Sequence, residues 1–104
     1  MLYIIFRFKI MTIGLLSLHL HLPGCTSLKQ KRSRIRPVIT RLHSEFNVST
    51  AEIALQDTWQ ESIIAVCLVC NDSQYAQQAL QKIAEFTVYH WSDLEVVDHR
   101  IEII

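Results

Sequence analysis

The chain has 104 residues, half of them hydrophobic, and its ten Lys and Arg balance ten Asp and Glu to a formal net charge of zero. That length and apolar content suffice for one compact domain with its own core, so neither disulfides nor a structural metal are needed to hold it. Three cysteines form no disulfide framework and suit a reducing cytoplasm, and two glycines are too few for the loops that cradle nucleotides.

Residues 1–10 include Arg7 and Lys9 among apolar neighbours, and Leu22-Pro23-Gly24-Cys25 has the spelling of a lipoprotein cleavage site. The pattern argues against export. His19 and His21 interrupt the supposed hydrophobic segment, and Pro23 sits where such a site takes a small or β-branched residue. No run reaches the roughly 18 apolar residues that span a bilayer. Met11 is therefore read as the start of a single domain over 11–104, and residues 1–10 as a non-native N-terminal extension or disordered tail.

From about Thr12 to Leu22 the pattern has period two. Leu16, Leu18, Leu20 and Leu22 share one face, and Leu15, Ser17, His19 and His21 the other, as in a strand. Pro23-Gly24 ends it. Ser27 and Gln30 spell a Ser-x-x-Gln capping box that opens a helix. Its Leu28, Ile35, Val38, Ile39, Leu42 and Phe46 fall on one stripe. Pro37 removes a backbone donor inside this helix and predicts a kink.

Asn47 to about Gln56 alternates again, with Ala51, Ile53 and Leu55 opposite Val48, Thr50 and Glu52, and Asp57–Gln60 reads as a connection. Ile63–Cys70 is a continuous apolar run, the pattern of a central strand buried on much of both faces. Asp72 caps a second helix, which sets Ala76, Ala79, Leu80, Ile83 and Phe86 on one face. Leu94–Ile104 then alternates Val97, His99, Ile101 and Ile103 with Val96, Asp98, Arg100 and Glu102. The order βαββαβ predicts an α+β, ferredoxin-like sandwich, a four-stranded antiparallel sheet with two helices on one face.

No residue set reaches the standard of a catalytic, metal or cofactor site, and a non-enzymatic protein is expected. His19 and His21 project from one strand face, where Asp98 or His99 could join them around a metal, but no ligand at loop or helical spacing completes the set. Cys67-Leu-Val-Cys70 matches a redox motif in spelling only, because positions i and i+3 of a strand face opposite ways. Glu52, Asp57 and Glu61 gather around the second hairpin without a nucleophile beside them.

Charge carries more information. Residues 1–43 hold eight Lys and Arg and no acid, while residues 44–104 hold all ten acids. Lys29, Lys31, Arg32, Arg34, Arg36 and Arg41 all lie on the first helix, where they could contact phosphates without reading bases. Strand aromatics that would stack bases are almost lacking. Asp57, Trp59 and Gln60 form a second candidate patch, in which Trp59 is a lid over the core or an anchor for a partner. The rival reading is a homo-oligomer, in which the basic helix of one copy meets the acidic half of another and no nucleic acid binds.

The run Leu22-Pro23-Gly24-x-x-Ser27-Leu28-Lys29-x-Lys31-Arg32 resembles the YlxP-like family of small bacterial proteins of uncharacterised function. The likeness continues through Phe46-Asn47-Val48-Ser49, Ala51-Glu52, Gln56-Asp57-x-Trp59-Gln60, Asn71-Asp72 and Ile101-Glu102-Ile103-Ile104, covering about residues 12–104. It implies a ferredoxin-like fold. Genes of such proteins often lie beside those of initiation factor 2 and ribosome-binding factor A, which implies a partner in ribosomal RNA or a ribosome-assembly intermediate. Pro37, Cys25 and the pair His99-Arg100 depart from the family pattern.

Overall fold

In the computed structural model, residues 11–104 are described; the segment 1–10, read above as an extension, lies outside them. The elements run β1 (Thr12–His21), α1 (Leu28–Phe46), β2 (Ser49–Ala54), β3 (Glu61–Cys70), α2 (Ser73–His90) and β4 (Glu95–Ile103). The four strands form one sheet in the order β2-β3-β1-β4, with every neighbouring pair antiparallel. This is the ferredoxin-like arrangement that the order of elements predicts.

The alternation in β1 sets the layers. Leu16, Leu18, Leu20 and Leu22 are buried beneath the helices with Ile64, Val66 and Leu68 of β3. Burying each such side chain contributes about 1.5–3 kcal/mol. Ile35, Val38 and Leu42 of α1 and Ala76, Leu80, Ile83 and Ala84 of α2 close the same core. Gly14 continues the inward face of β1 where α2 comes closest. A Cβ there would stand 2.8 Å from Leu80 Cδ1 and 3.4 Å from Ala76 Cβ. Gly14→Ala is therefore expected to destabilise the fold by about 1–2 kcal/mol through overpacking, read as a lower urea midpoint. An unchanged midpoint would mean that Leu80 moves aside freely.

The capping box forms with one change. Ser27 Oγ accepts from Gln30 N at 3.0 Å, but Gln30 Oε1 reaches past Ser27 to accept from Thr26 N at 2.7 Å. Helix α1 is assigned without a break through Pro37. The proline leaves the Ser33 carbonyl without its usual donor, and both residues are exposed, so water can satisfy that oxygen. Asn47 ends the helix in the left-handed region, with φ 52°, where Asn is a common substitute for Gly.

The strand readings of β3 and β4 are corrected, and the alternation read in β2 holds and gains its direction. In β3, only Ser62, Ile64, Val66 and Leu68 are buried, while the other face is half-buried to exposed, because both helices lie on one side. In β2, Thr50 and Glu52 turn towards the helices and the more apolar Ala51 and Ile53 face outwards. In β4, Leu20 pairs with Val96 and His19 with Asp98. The skipped residue, Val97, is bulged and exposed, so Val96 rather than Val97 faces the core.

Candidate polyanion-binding face of the first helix

The six cations of α1 do not form one patch. Lys31 is 2% exposed. It lies three residues after Leu28 and four before Ile35, so it shares the core-facing stripe. Its Nζ is 3.0 Å from Glu52 Oε2 and donates to the carbonyls of Leu55 and Gln56. An ammonium has three protons, and here each has an acceptor. Glu52 Oε2 also accepts from the buried Ser62 hydroxyl at 2.6 Å. One network thus fastens α1 to β2, to β3 and to the loop between them. Leu55 adopts the left-handed region, with φ 62°, an unfavourable conformation for a residue with a Cβ. Burial removes Lys31 from the set of phosphate contacts.

Arg34 is also committed. It donates to the Pro23 carbonyl at 2.8 Å and to the Asp93 carbonyl, and its Nε stands 3.4 Å from the Asp93 carboxylate. It ties α1 to the turn before β4. Arg41 pairs with Glu45 at 2.9 Å while its guanidinium lies 5.6 Å from the centre of the Phe86 ring. Half of the basic set is therefore matched by acids of the same chain's second half.

Lys29, Arg32 and Arg36 remain, all exposed. Their spacing of three and four residues puts them on one helix face, about 10 Å from end to end. Among the described residues, no ion pair takes up any of the three. Arg32 and Arg36 line a cleft of about 350 Å³ with Lys31, Ile35 and Ile39, opposite Glu52 of β2 and Gln56 and Asp57 of the β2–β3 loop. The structure thus brings part of the basic helix and part of the second patch to one place. The network of Lys31, which pins the Leu55 and Gln56 carbonyls, holds the two walls in register.

In the same loop Trp59 is 49% exposed, so its ring is no lid over the core. Gln60 is structural, its backbone carbonyl accepting from Leu22 N at 2.8 Å and its side chain donating to the Cys25 carbonyl at 3.3 Å. Residues missed from sequence are Glu52 and Asp93, the partners of Lys31 and Arg34. The phase of Lys31 with Leu28, Ile35, Val38 and Leu42 was the available signal for the first; Asp93 gave none.

The remaining clusters assemble only in part: Asp98 lies opposite His19 in register on the open face, and the other members divide between the two faces of the sheet. His19 Nε2 lies 2.8 Å from Glu61 Oε1 and His21 Nδ1 3.5 Å from Glu95 Oε2, all on the open face. His99 pairs with Leu18 in register and so projects to the helix side. Glu52 and Glu61 likewise lie on opposite faces, so they form no carboxylate pair. Cys25 is buried, and Cys67 and Cys70 are half-buried. Among the described residues, no group of three or more His, Cys, Asp or Glu is placed to hold a metal ion, and no helix is long and apolar enough to cross a membrane.

Residues 13–101 match the family described as protein of unknown function (DUF503). A Bacillus subtilis (strain 168) protein described as uncharacterized protein YlxP is 37% identical over 60 residues. The match covers 58% of this chain and 65% of that protein, just under two thirds of its length. Among solved structures, the de novo designed protein Foldit4 aligns with a TM-score of 0.49 at 8% identity, over 90% of this chain and 96% of that one.

Proposed function

The chain belongs to the DUF503 family of proteins of unknown function, and we propose that it is a non-enzymatic, cytoplasmic accessory protein that grips ribosomal RNA, on the ribosome or an assembly intermediate, through one face of α1. The observation that carries this reading is the stripe Lys29, Arg32 and Arg36, exposed and without an acidic partner among the described residues. Solvated helices ordinarily mix signs for internal pairing; an unmatched stripe has its charge available for phosphates.

The cleft adds chemistry of the right kind. Two guanidiniums can fork onto phosphate oxygens. Asp57 on the facing wall accepts hydrogen bonds only and suits a ribose 2′-hydroxyl, the group that distinguishes RNA from DNA. Trp59, exposed in the same loop, offers a face on which an unpaired base can stack. The translation setting comes from the family resemblance.

Co-sedimentation of the full chain with purified ribosomal subunits, and with naked ribosomal RNA, tests the proposal at about 50 mM salt, where phosphate contacts are strong. The protein is expected to pellet with at least one of them. A protein left in the supernatant with both at that salt would refute the reading.

A further inference from the structure

We propose that β4 is a self-complementary edge at which two copies of this chain pair antiparallel, about a two-fold axis at Ile101, into one continuous sheet. In the observed order β2-β3-β1-β4, β4 has a neighbour on one side only among the described residues. The backbone shows which of its groups are left over. Ile13 and Ile104 exchange both hydrogen bonds, at 3.1 and 2.8 Å, and with the register of β1 and β4 the alternation is set. Glu102, Arg100 and Asp98 direct their amides and carbonyls to β1, and His99, Ile101 and Ile103 direct theirs to the free edge. Natural sheets commonly blunt such an edge with Lys, Pro or a bulge. Here the bulge is confined to Val97, and residues 98–103 contain neither Lys nor Pro.

Charge selects the register. With the axis at Ile101, that residue faces its own copy and His99 faces Ile103, which makes about six backbone hydrogen bonds. Arg100 then stands opposite Glu102 of the second copy, twice by symmetry. Both fall in the non-hydrogen-bonded pairs, where side chains are closest. Moving the axis one residue either way sets Arg100 against Arg100 or Glu102 against Glu102, and like charges directly opposite are unfavourable. Moving it two residues to His99 sets Ile101 against the bulged Val97. Arg100 is free to take a partner, since it is 80% exposed and makes only a loose contact of 3.5 Å with Asp98 in its own strand. The half-buried Ile101 and Ile103 would gain cover on the helix side of the joint.

Sedimentation velocity on the full chain across micromolar to millimolar concentrations tests this without any RNA. A monomer–dimer equilibrium is expected. Arg100→Glu and Glu102→Arg, each alone, should weaken it about tenfold, because each sets like charges opposite one another at both symmetric positions. The double variant Arg100→Glu with Glu102→Arg should return the dimer to near its original affinity with the signs exchanged. Both side chains involved are exposed, and circular dichroism checks that each variant is folded. A chain that stays monomeric at millimolar concentration, single variants without effect, or a double variant as weak as the singles would each overturn the proposal.

Discussion

Lys31→Met is expected to lower the stability of the protein by about 3 kcal/mol, read as a fall in the urea midpoint with an unchanged slope. Methionine keeps most of the volume, so the effect isolates the charge. What is lost is the partner of Glu52, whose side chain is only 20% exposed, together with the donor to two loop carbonyls. A carboxylate left in such a site without its cation is the costly part, and the residual exposure keeps the figure at the low end of the range for buried pairs. Adding Glu52→Gln removes that charge while leaving an oxygen for the Ser62 hydroxyl. The double variant should therefore recover about half of the loss. A single variant within about 0.5 kcal/mol of the original protein, the range typical of surface changes, would contradict the buried network.

Charge reversal at Arg32→Glu with Arg36→Glu is expected to weaken binding to ribosomal RNA about a hundredfold at low salt while leaving stability nearly unchanged. Two phosphate contacts are removed and two repulsive charges introduced, which together correspond to about 2.7 kcal/mol. Both side chains are exposed and outside the ion pairs of the described residues, so the urea midpoint should move by about 0.5 kcal/mol or less. Lys82→Glu on α2 is the control. It changes another exposed cation, on the other helix, and should leave affinity almost unaltered. If Lys82→Glu weakened binding as much as the α1 pair does, the contact would be diffuse and the stripe would not be the site.

The fold was legible because its largest signals are periodic and redundant. Leu16, Leu18, Leu20 and Leu22 can satisfy one another on one strand face only, and the stripe of α1 stays in phase through Pro37. The departures arise where one interaction overrides a pattern. Glu52 turns inwards because Lys31 is there, which sends the apolar Ala51 and Ile53 outwards against their hydropathy. Val97 is displaced by a bulge, a backbone event that leaves no residue signature in Val-Val-Asp. The continuous apolar run of β3 reflects a half-covered open face as well as a core face, and composition alone does not distinguish the two.

The site was legible in outline only. A block of six like charges was visible, but its division into buried, clamped and free members depends, for Lys31 and Arg34, on acids far away in the chain. Asp93 meets Arg34 across 59 positions, and nothing local marks that pairing. Lys31 could have been separated out, since its phase matches Leu28, Ile35, Val38 and Leu42. Three of the six cations serve the fold, and the charge asymmetry between the two halves is partly cancelled inside the molecule.

The salt dependence of ribosomal RNA affinity tests the central claim most directly, because it counts phosphate contacts without assuming which sequence is bound. Three contacts, from Lys29, Arg32 and Arg36, predict a slope of log affinity against log salt of about −2 to −3. Arg32→Ala with Arg36→Ala should reduce it to about −1. A slope near zero, or a steep slope that the double alanine variant leaves unchanged, would contradict the assignment of α1 as the RNA-contacting face.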